Sequence, residues 1–245
     1  MRRLIIALAA LLACTGAARA ADPDALWTIV SQKCVPNVRE YGQPNPCAKV
    51  DLDKHYVVLK DLVGDTQYLL LPTAKVTGIE DPQILAPGAP NYFADAWAER
   101  QFTITAAKHD LLRDAISLAI NSVHGRSQNQ LHIHIDCVAP TVHDAIAKDI
   151  AAIGDKWAPF PEPLSGHHYR AMRLAGDDLT ANPFTLVAAT VPPDAMGKQT
   201  LVVVGATLPG GAPGFVLLAD TADLAIGDHA SGEELQDHSC ALAAK

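Results

Sequence analysis

The tightest constraint on the fold is a pair of neighbouring segments in which every second residue is apolar. In AISLAINS, residues 115–122, large aliphatic residues alternate with small or polar ones. In LHIHIDC, residues 131–137, the polar residues at alternate positions are His132, His134 and Asp136. Because side chains alternate between the two faces of a β-strand, each segment is predicted to be a strand with one apolar face. The polar, glycine-containing loop between them, VHGRSQNQ, predicts that the two strands pair antiparallel.

Other segments predict further strands and helices. The runs HYVVLKDL and TQYLLLPT, separated around Gly64, predict a β-hairpin, and FTLVAATV, TLVVVG and GFVLLAD predict three later strands. Helices are predicted over residues 24–34, over residues 91–102 with Asn91 as the N-cap, and in the segment that follows Pro140. The segment VPNVREYGQPNPC is rich in turn-forming residues and is predicted to be a loop. No linker composition divides residues 21–245, which are therefore predicted to form a single domain.

Residues 1–20 have the order of a targeting segment. Arg2 and Arg3 precede the apolar run LIIALAALLA, and Ala18-Arg19-Ala20 fits a small-x-small cleavage site. These features predict a signal peptide, with an uncleaved N-terminal anchor and lipidation at Cys14 as alternatives. Each alternative exports the body of the chain, so a periplasmic location is expected.

The charge of the body argues against binding to a nucleic acid polymer. The whole chain has a net charge of −8, from 19 basic and 27 acidic residues. Loss of residues 1–20 removes three arginines and no acid, which leaves 16 basic against 27 acidic residues and a net charge of −11. No basic run is present to neutralise a phosphate backbone. An anionic substrate must therefore be met by a few local donors.

Four cysteines remain in the body: Cys34, Cys47, Cys137 and Cys240. An even number in an exported chain predicts two disulfides, for which the sequence allows three pairings. We favour a short loop closed by Cys34 and Cys47, and a long one closed by Cys137 and Cys240.

Three interpretations compete for the histidine pair His132 and His134. The two rings can be a hydrogen-bonded structural pair, two ligands of a metal ion, or a nucleophile with its helper. The residues before the pair favour the third interpretation, because attack on phosphorus requires many hydrogen-bond donors and metal binding does not. These donor-rich residues are Asn121, Gly125, Arg126, Ser127, Gln128 and Asn129.

The segment QLHIHI, residues 130–135, resembles the histidine-triad pattern, in which three histidines alternate with apolar residues. Gln130 stands where that pattern has its first histidine. Over nearly the whole exported body, the chain resembles the bacterial CDP-diacylglycerol pyrophosphatases. Besides this motif, the segments that carry the resemblance are, in order, CVPN…NPC, YVVLKDL…QYLLLPT, SLAINS…GRSQNQLHIHIDC, GHHY and EELQDHSC.

This resemblance implies hydrolysis of CDP-diacylglycerol to CMP and phosphatidate through a covalent phospho-histidine intermediate. It implies that His132 is the nucleophile and that His134 contacts the phosphate. It also implies that the Ser127 hydroxyl hydrogen-bonds the substrate on the side of the leaving group. Asn121 lies near the position at which the family has an asparagine on the phosphate side of the site. The further candidates for substrate binding are Lys60, Arg126, Gln128, Gln130 and His167, with His168 and Arg170 as weaker ones.

The fold implied by the resemblance is α+β and histidine-triad-like. It consists of an antiparallel sheet with the active strand near its middle, flanking helices packed on one side, and an extended β-rich C-terminal portion. No metal or other cofactor is expected to take part. The lipid substrate implies work at the surface of the inner membrane, and the oligomeric state stays open. The alternatives are a periplasmic nucleotide- or lipid-binding module without turnover, and a metal-dependent nucleotide pyrophosphatase.

Overall fold

The centre of the molecule is one antiparallel β-sheet. The computed structural model describes residues 22–244, and in that part of the chain the sheet has ten strands. In chain order these are β1 (Lys49–Asp51), β2 (Tyr56–Lys60), β3 (Tyr68–Pro72), β4 (Ile116–Ile120), β5 (Ile133–Val138), β6 (Ala158–Pro159), β7 (Arg170–Ala175), β8 (Gln199–Thr207), β9 (Pro213–Thr221) and β10 (Gln236–Asp237). Their spatial order is β1-β2-β3-β5-β4-β8-β9-β7-β6, and β10 pairs with β5. The chain is therefore α+β, as predicted.

The two period-two segments form neighbouring antiparallel strands, which confirms that prediction. β4 and β5 pair with Leu118 opposite Ile135 and Ala119 opposite His134. β5 lies near the middle of the sheet, between β3 and β4, and the hairpin of β2 and β3 is also confirmed. All six residues of β5 are buried, because both faces of the sheet are covered.

The helices pack on both faces of the sheet, so the expectation of helices on one side was wrong. The helices are α1 (Ala25–Ile29), α2 (Val35–Tyr41), α3 (Tyr92–Ala98), α4 (Gln101–Ala107), α5 (Pro140–Asp149) and α6 (Pro183–Ala188), with one π-helical turn, Val30–Cys34, between α1 and α2. One face of the sheet, which carries Ile133 and Ile135, packs against α3, α4 and α6. On the opposite face, α1 and α2 cover β2 and β3, while α5 covers β8 and β9. His134 of β5, and His132 just before this strand, lie on this second face, between the two helical groups.

Two predicted elements differ from the structure. Helix continues through the predicted loop as α2, which has Pro36 in its first turn and ends at Gly42 in the left-handed conformation. The segment FTLVAATV forms helix α6 and not a strand, because the Asn182 side chain accepts a hydrogen bond from Phe184 N at 3.1 Å and Pro183 occupies the first turn. These start signals outweigh the β-branched composition of the segment.

Both favoured disulfides are present. Cys34–Cys47 and Cys137–Cys240 have Cα–Cα distances of 5.6 and 5.2 Å. None of the helices within residues 22–244 combines the length and the hydropathy that a transmembrane span requires. The predicted signal peptide or anchor, residues 1–20, lies outside the described residues.

Candidate active site

The two histidines lie in a cleft of about 570 Å³. Its walls are α1, the tip of the β2–β3 hairpin and the loop between β4 and β5. Six of the predicted site residues line it: Lys60, Asn121, Ser127, Gln128, His132 and His134. The remaining polar lining comes from Asp61 and Glu233, and most of the other lining residues are apolar. The structure thus gathers most of the predicted site in one place.

His132 is held in one tautomer. Its ring lies at the entry to β5, is only 7% exposed, and has Nδ1 2.6 Å from the main-chain oxygen of Gln130. Because a carbonyl oxygen only accepts hydrogen bonds, Nδ1 carries the proton and Nε2 carries the lone pair. Burial lowers the pKa of His132 from its ordinary value of 6.5. The ring is therefore neutral near pH 7, which is the form a nucleophile requires.

His134 stands beside His132, with the ring centroids 4.8 Å apart and the planes at 67°. Its Nδ1 contacts the amide nitrogen of Gln67 and lies 3.2 Å from Glu233 Oε1. Burial, and next the neighbouring His132, lower the pKa of His134 well below 6.5. Its Nε2 is buried and has no hydrogen-bond partner within residues 22–244. A phosphoryl oxygen in the cleft can satisfy this atom.

Glu233 is a site residue that the sequence analysis did not single out. Its Oε1 accepts from Gln67 Nε2 at 3.1 Å and its Oε2 from Asn121 Nδ2 at 2.8 Å. Asn121 Oδ1 in turn accepts from the Glu233 backbone N–H at 3.3 Å. The carboxylate is thus fixed beside His134 by two amides. Its segment, EELQDHSC, was part of the family resemblance, and this was the one available signal.

Ser127 offers unused donors at the lip of the cleft. Its side chain is exposed, and neither its hydroxyl nor its backbone N–H has a hydrogen-bond partner in the described part of the chain. The loop below it is held by Ser122 Oγ, which accepts from the backbone N–H groups of His124 and Gly125. Ser127 is therefore placed to meet an anion without breaking an existing hydrogen bond.

Gln128 and Gln130 serve the architecture of the site. Gln128 accepts from Leu26 N at 3.0 Å and donates to Asp22 O at 2.9 Å, which attaches the start of α1 to the loop. The buried Gln130 amide donates to the carbonyl oxygens of Pro72 and Ala74. Gln130 thus orients His132 through its main chain, while its side chain anchors the segment.

Lys60 is the one lysine or arginine among the described residues that line the cleft. Its Nζ donates to the carbonyl oxygens of Asp61 and Gly64 at 3.0 and 2.9 Å, and lies 5.6 Å from the ring centroid of Tyr68. The ammonium group is therefore held on the hairpin that forms one wall.

Three predicted substrate-binding residues are absent from the cleft lining, and the first is Gln130, whose buried amide binds the carbonyl oxygens of Pro72 and Ala74. Arg126 forms a two-point ion pair with Glu80, at 2.6 and 2.5 Å, and does not line the cleft. His167 lies in a separate group with Asp228 and Glu234. The weaker candidates His168 and Arg170 are also absent from the cleft lining.

The histidine pair is not part of a metal-binding arrangement in residues 22–244. The one group of three or more histidine, cysteine or acidic ligand atoms close enough to share an ion in that range is His167, Asp220 and Asp228. His132 and His134 do not belong to this group. The hydrogen bond from His132 Nδ1 to a carbonyl oxygen leaves Nε2 of the ring as the atom that can attack, which suits a nucleophile.

Much of the remaining cleft lining is apolar. Leu26 and Ile29 of α1 line the cleft together with Leu59 and Leu69. At the hairpin tip, Leu62 is fully exposed and Val63 is 54% exposed. The cleft therefore combines imidazoles and carboxylates with apolar walls, one of which extends to the exposed hairpin tip.

Comparison with known proteins finds relatives over nearly the whole described chain. The family model described as "CDH: CDP-diacylglycerol pyrophosphatase" matches residues 21–244. A curated CDP-diacylglycerol pyrophosphatase of Yersinia pestis is 44% identical over 225 residues, which cover 91% of this chain and 86% of that protein.

Proposed function

The chain belongs to the CDP-diacylglycerol pyrophosphatase family and hydrolyses the diphosphate bond of CDP-diacylglycerol, and we propose that it does so through a covalent intermediate on His132. The observation that carries this proposal is the hydrogen bond from His132 Nδ1 to the Gln130 carbonyl oxygen. It leaves Nε2 unprotonated in a ring that lines the cleft. The proposed chemistry is histidine-triad-like, with Gln130 in the place of the first histidine.

In the first step, Nε2 of His132 attacks the cytidine-side phosphorus. An N–P bond forms, the bond from that phosphorus to the bridging oxygen breaks, and phosphatidate leaves with the bonding electron pair. The imidazole ring becomes cationic, and the Gln130 carbonyl stabilises it by accepting the Nδ1 proton in a hydrogen bond.

Neutral donors stabilise the negative charge on the phosphoryl oxygens. His134 can donate from Nε2, because the Gln67 amide nitrogen is placed to donate to its Nδ1. The hydroxyl and backbone N–H of Ser127 donate hydrogen bonds to the substrate on the side of the phosphatidate leaving group. Preorganised donors of this kind act strongly in a cleft from which water is largely excluded. The cleft lining contains two carboxylates, of Asp61 and Glu233, against one ammonium group, of Lys60, so neutral donors are the main groups available to stabilise an anion there.

In the second step, water attacks the same phosphorus and the N–P bond breaks. CMP leaves, His132 returns to its neutral tautomer, and the water proton passes to the carboxylate of Glu233, which lines the cleft. The amides of Gln67 and Asn121 hold this carboxylate in place.

The apolar walls of the cleft suit the diacylglycerol part of the substrate. Leu26 and Ile29 offer a wall against which acyl chains can lie, and Leu62 and Val63 extend it to the surface. Exposed aliphatic residues at a hairpin tip next to a lipid-binding cleft favour contact with a membrane surface. We therefore place the enzyme at the surface of the bilayer that holds its substrate.

The proposed location is the periplasm, at the inner membrane. Two disulfides support an oxidising compartment, because such bonds persist mainly outside the cytosol. The order of residues 1–20 supports export.

The test is release of CMP from CDP-diacylglycerol by the variant His132→Ala. Loss of a covalent nucleophile is expected to lower kcat by at least about 10³-fold, which corresponds to roughly 4 kcal/mol. The control is His109→Ala, an exposed histidine that does not line the cleft. Turnover by His132→Ala at the wild-type rate would overturn the mechanism. Binding without CMP release by the wild type would instead favour a binding module.

A further inference from the structure

A second group of titratable side chains lies outside the cleft. One imidazole nitrogen of His167 and one carboxylate oxygen each of Asp220 and Asp228 lie within 4.8 Å of one another. Asp220 is near the end of β9, Asp228 is on the loop that follows, and His167 precedes β7. Three separate parts of the chain therefore converge here. The mechanism proposed above uses none of these residues.

The two carboxylates of this group are buried and incompletely paired. Asp220 and Asp228 are 8% and 5% exposed. Asp220 Oδ1 accepts from the backbone N–H of Thr221 at 2.7 Å, and Asp228 Oδ1 from that of Ala230 at 2.7 Å. Asp220 Oδ2 is buried and has no hydrogen-bond partner among residues 22–244. Two buried acids beside one imidazole are costly to keep charged unless a cation, or a proton that they share, compensates the charge.

We propose that His167, Asp220 and Asp228 bind a divalent cation of the zinc and manganese class. A donor set of one imidazole and carboxylate oxygens suits these ions, whereas a set of oxygens alone would suit calcium or magnesium. The imidazole nitrogen that faces the acids is His167 Nδ1, 3.6 Å from Asp228 Oδ1, and it donates to Glu234 Oε1 at 2.9 Å. A bound cation would take the place of this proton, because a histidine ligand binds a metal through a deprotonated nitrogen.

This cation would brace the segment that brings Glu233 into the active site. Asp228 is hydrogen-bonded to Ala230, and the Ala230 carbonyl accepts from the backbone N–H of Ser122 at 3.1 Å. Glu233 lines the cleft, while the adjacent Glu234 contacts His167. The ion therefore stabilises the conformation of residues 228–234 and takes no part in the displacement at phosphorus.

The test uses the full chain stripped with EDTA and titrated with Zn²⁺ or Mn²⁺ alone. Calorimetry is expected to show one ion per chain, and saturation at about a hundred times Kd is expected to raise Tm by roughly 5 °C or more. In Asp220→Asn both effects are expected to disappear. The control, Asp223→Asn, removes an exposed acid from the same loop and should respond like the wild type.

A second readout does not depend on any variant. Hydrogen exchange of the backbone amides in residues 228–234 is expected to slow when the cation is added to the stripped wild type. If the ion neither binds nor slows this exchange, or if Asp220→Asn shows the same Tm rise as the wild type, the proposal is wrong. The two acids would then share a proton.

Discussion

At the scale of single residues, the pH dependence of activity follows from the environment of His132. The attacking ring must be neutral, and burial lowers its pKa below 6.5. Since a lowered pKa keeps the ring neutral as the pH falls through 6.5, activity should persist there and be lost only at lower pH. The measurement is kcat/KM over a pH range of about 4.5 to 8, where the acid limb is expected to be centred below 6.5. A limb centred above 6.5 would mean that the free enzyme holds this ring in its charged form.

The sequence identified the histidines and neutral donors of the cleft better than it identified the charged residues around them. His132, His134, Ser127 and Asn121 are close in sequence, on one strand pair and its loop, so local pattern was enough to group them. Glu233 lies about a hundred residues further along and reaches His134 only through the folding of the C-terminal segment. Arg126 illustrates the reverse, because nothing local indicated that Glu80 would bind its guanidinium group.

At the scale of elements, the β2–β3 hairpin is expected to control access of the lipid. The double variant Leu62→Ser and Val63→Ser removes the apolar surface at its tip, next to Lys60 and Asp61 of the cleft wall. Loss of two membrane contacts is expected to lower kcat/KM on CDP-diacylglycerol in vesicles by roughly tenfold or more. Turnover of a dispersed short-chain analogue should stay unchanged.

The matched control for the hairpin is Leu112→Ser, which removes another exposed leucine, one that does not line the cleft. It should behave like the wild type on both substrates. Equal losses on vesicles and on the dispersed analogue would show that the hairpin shapes the polar site and does not contact the membrane.

Strands with a clear period were predicted well, and short helices were not. β4 and β5 alternate strictly and follow one another in the chain, so their existence and their antiparallel pairing could be predicted from the pattern. Helix α6 has six residues, too few for a helical period to show, and it is decided by the cap at Asn182. The packing of helices on both faces was missed because it depends on which strands are neighbours across the sheet.

At the scale of the whole molecule, the two disulfides should contribute unequally to stability. Cys34–Cys47 joins residues 13 apart, whereas Cys137–Cys240 joins residues 103 apart. In the loop-entropy model these bonds contribute about 3 and about 4.7 kcal/mol. Urea unfolding of the paired alanine variants should therefore show the larger loss for Cys137→Ala with Cys240→Ala. The opposite order would show that strain or residual structure outweighs loop length.

The central claim is a covalent intermediate on His132, and its most direct test is mass spectrometry. The enzyme is quenched without acid during turnover of CDP-diacylglycerol, and its peptides are then analysed. The account predicts a cytidylyl group bonded to the peptide that contains His132, present in the wild type and absent from His132→Ala. A full single-turnover burst of CMP without any adduct, or an adduct on another residue, would contradict it.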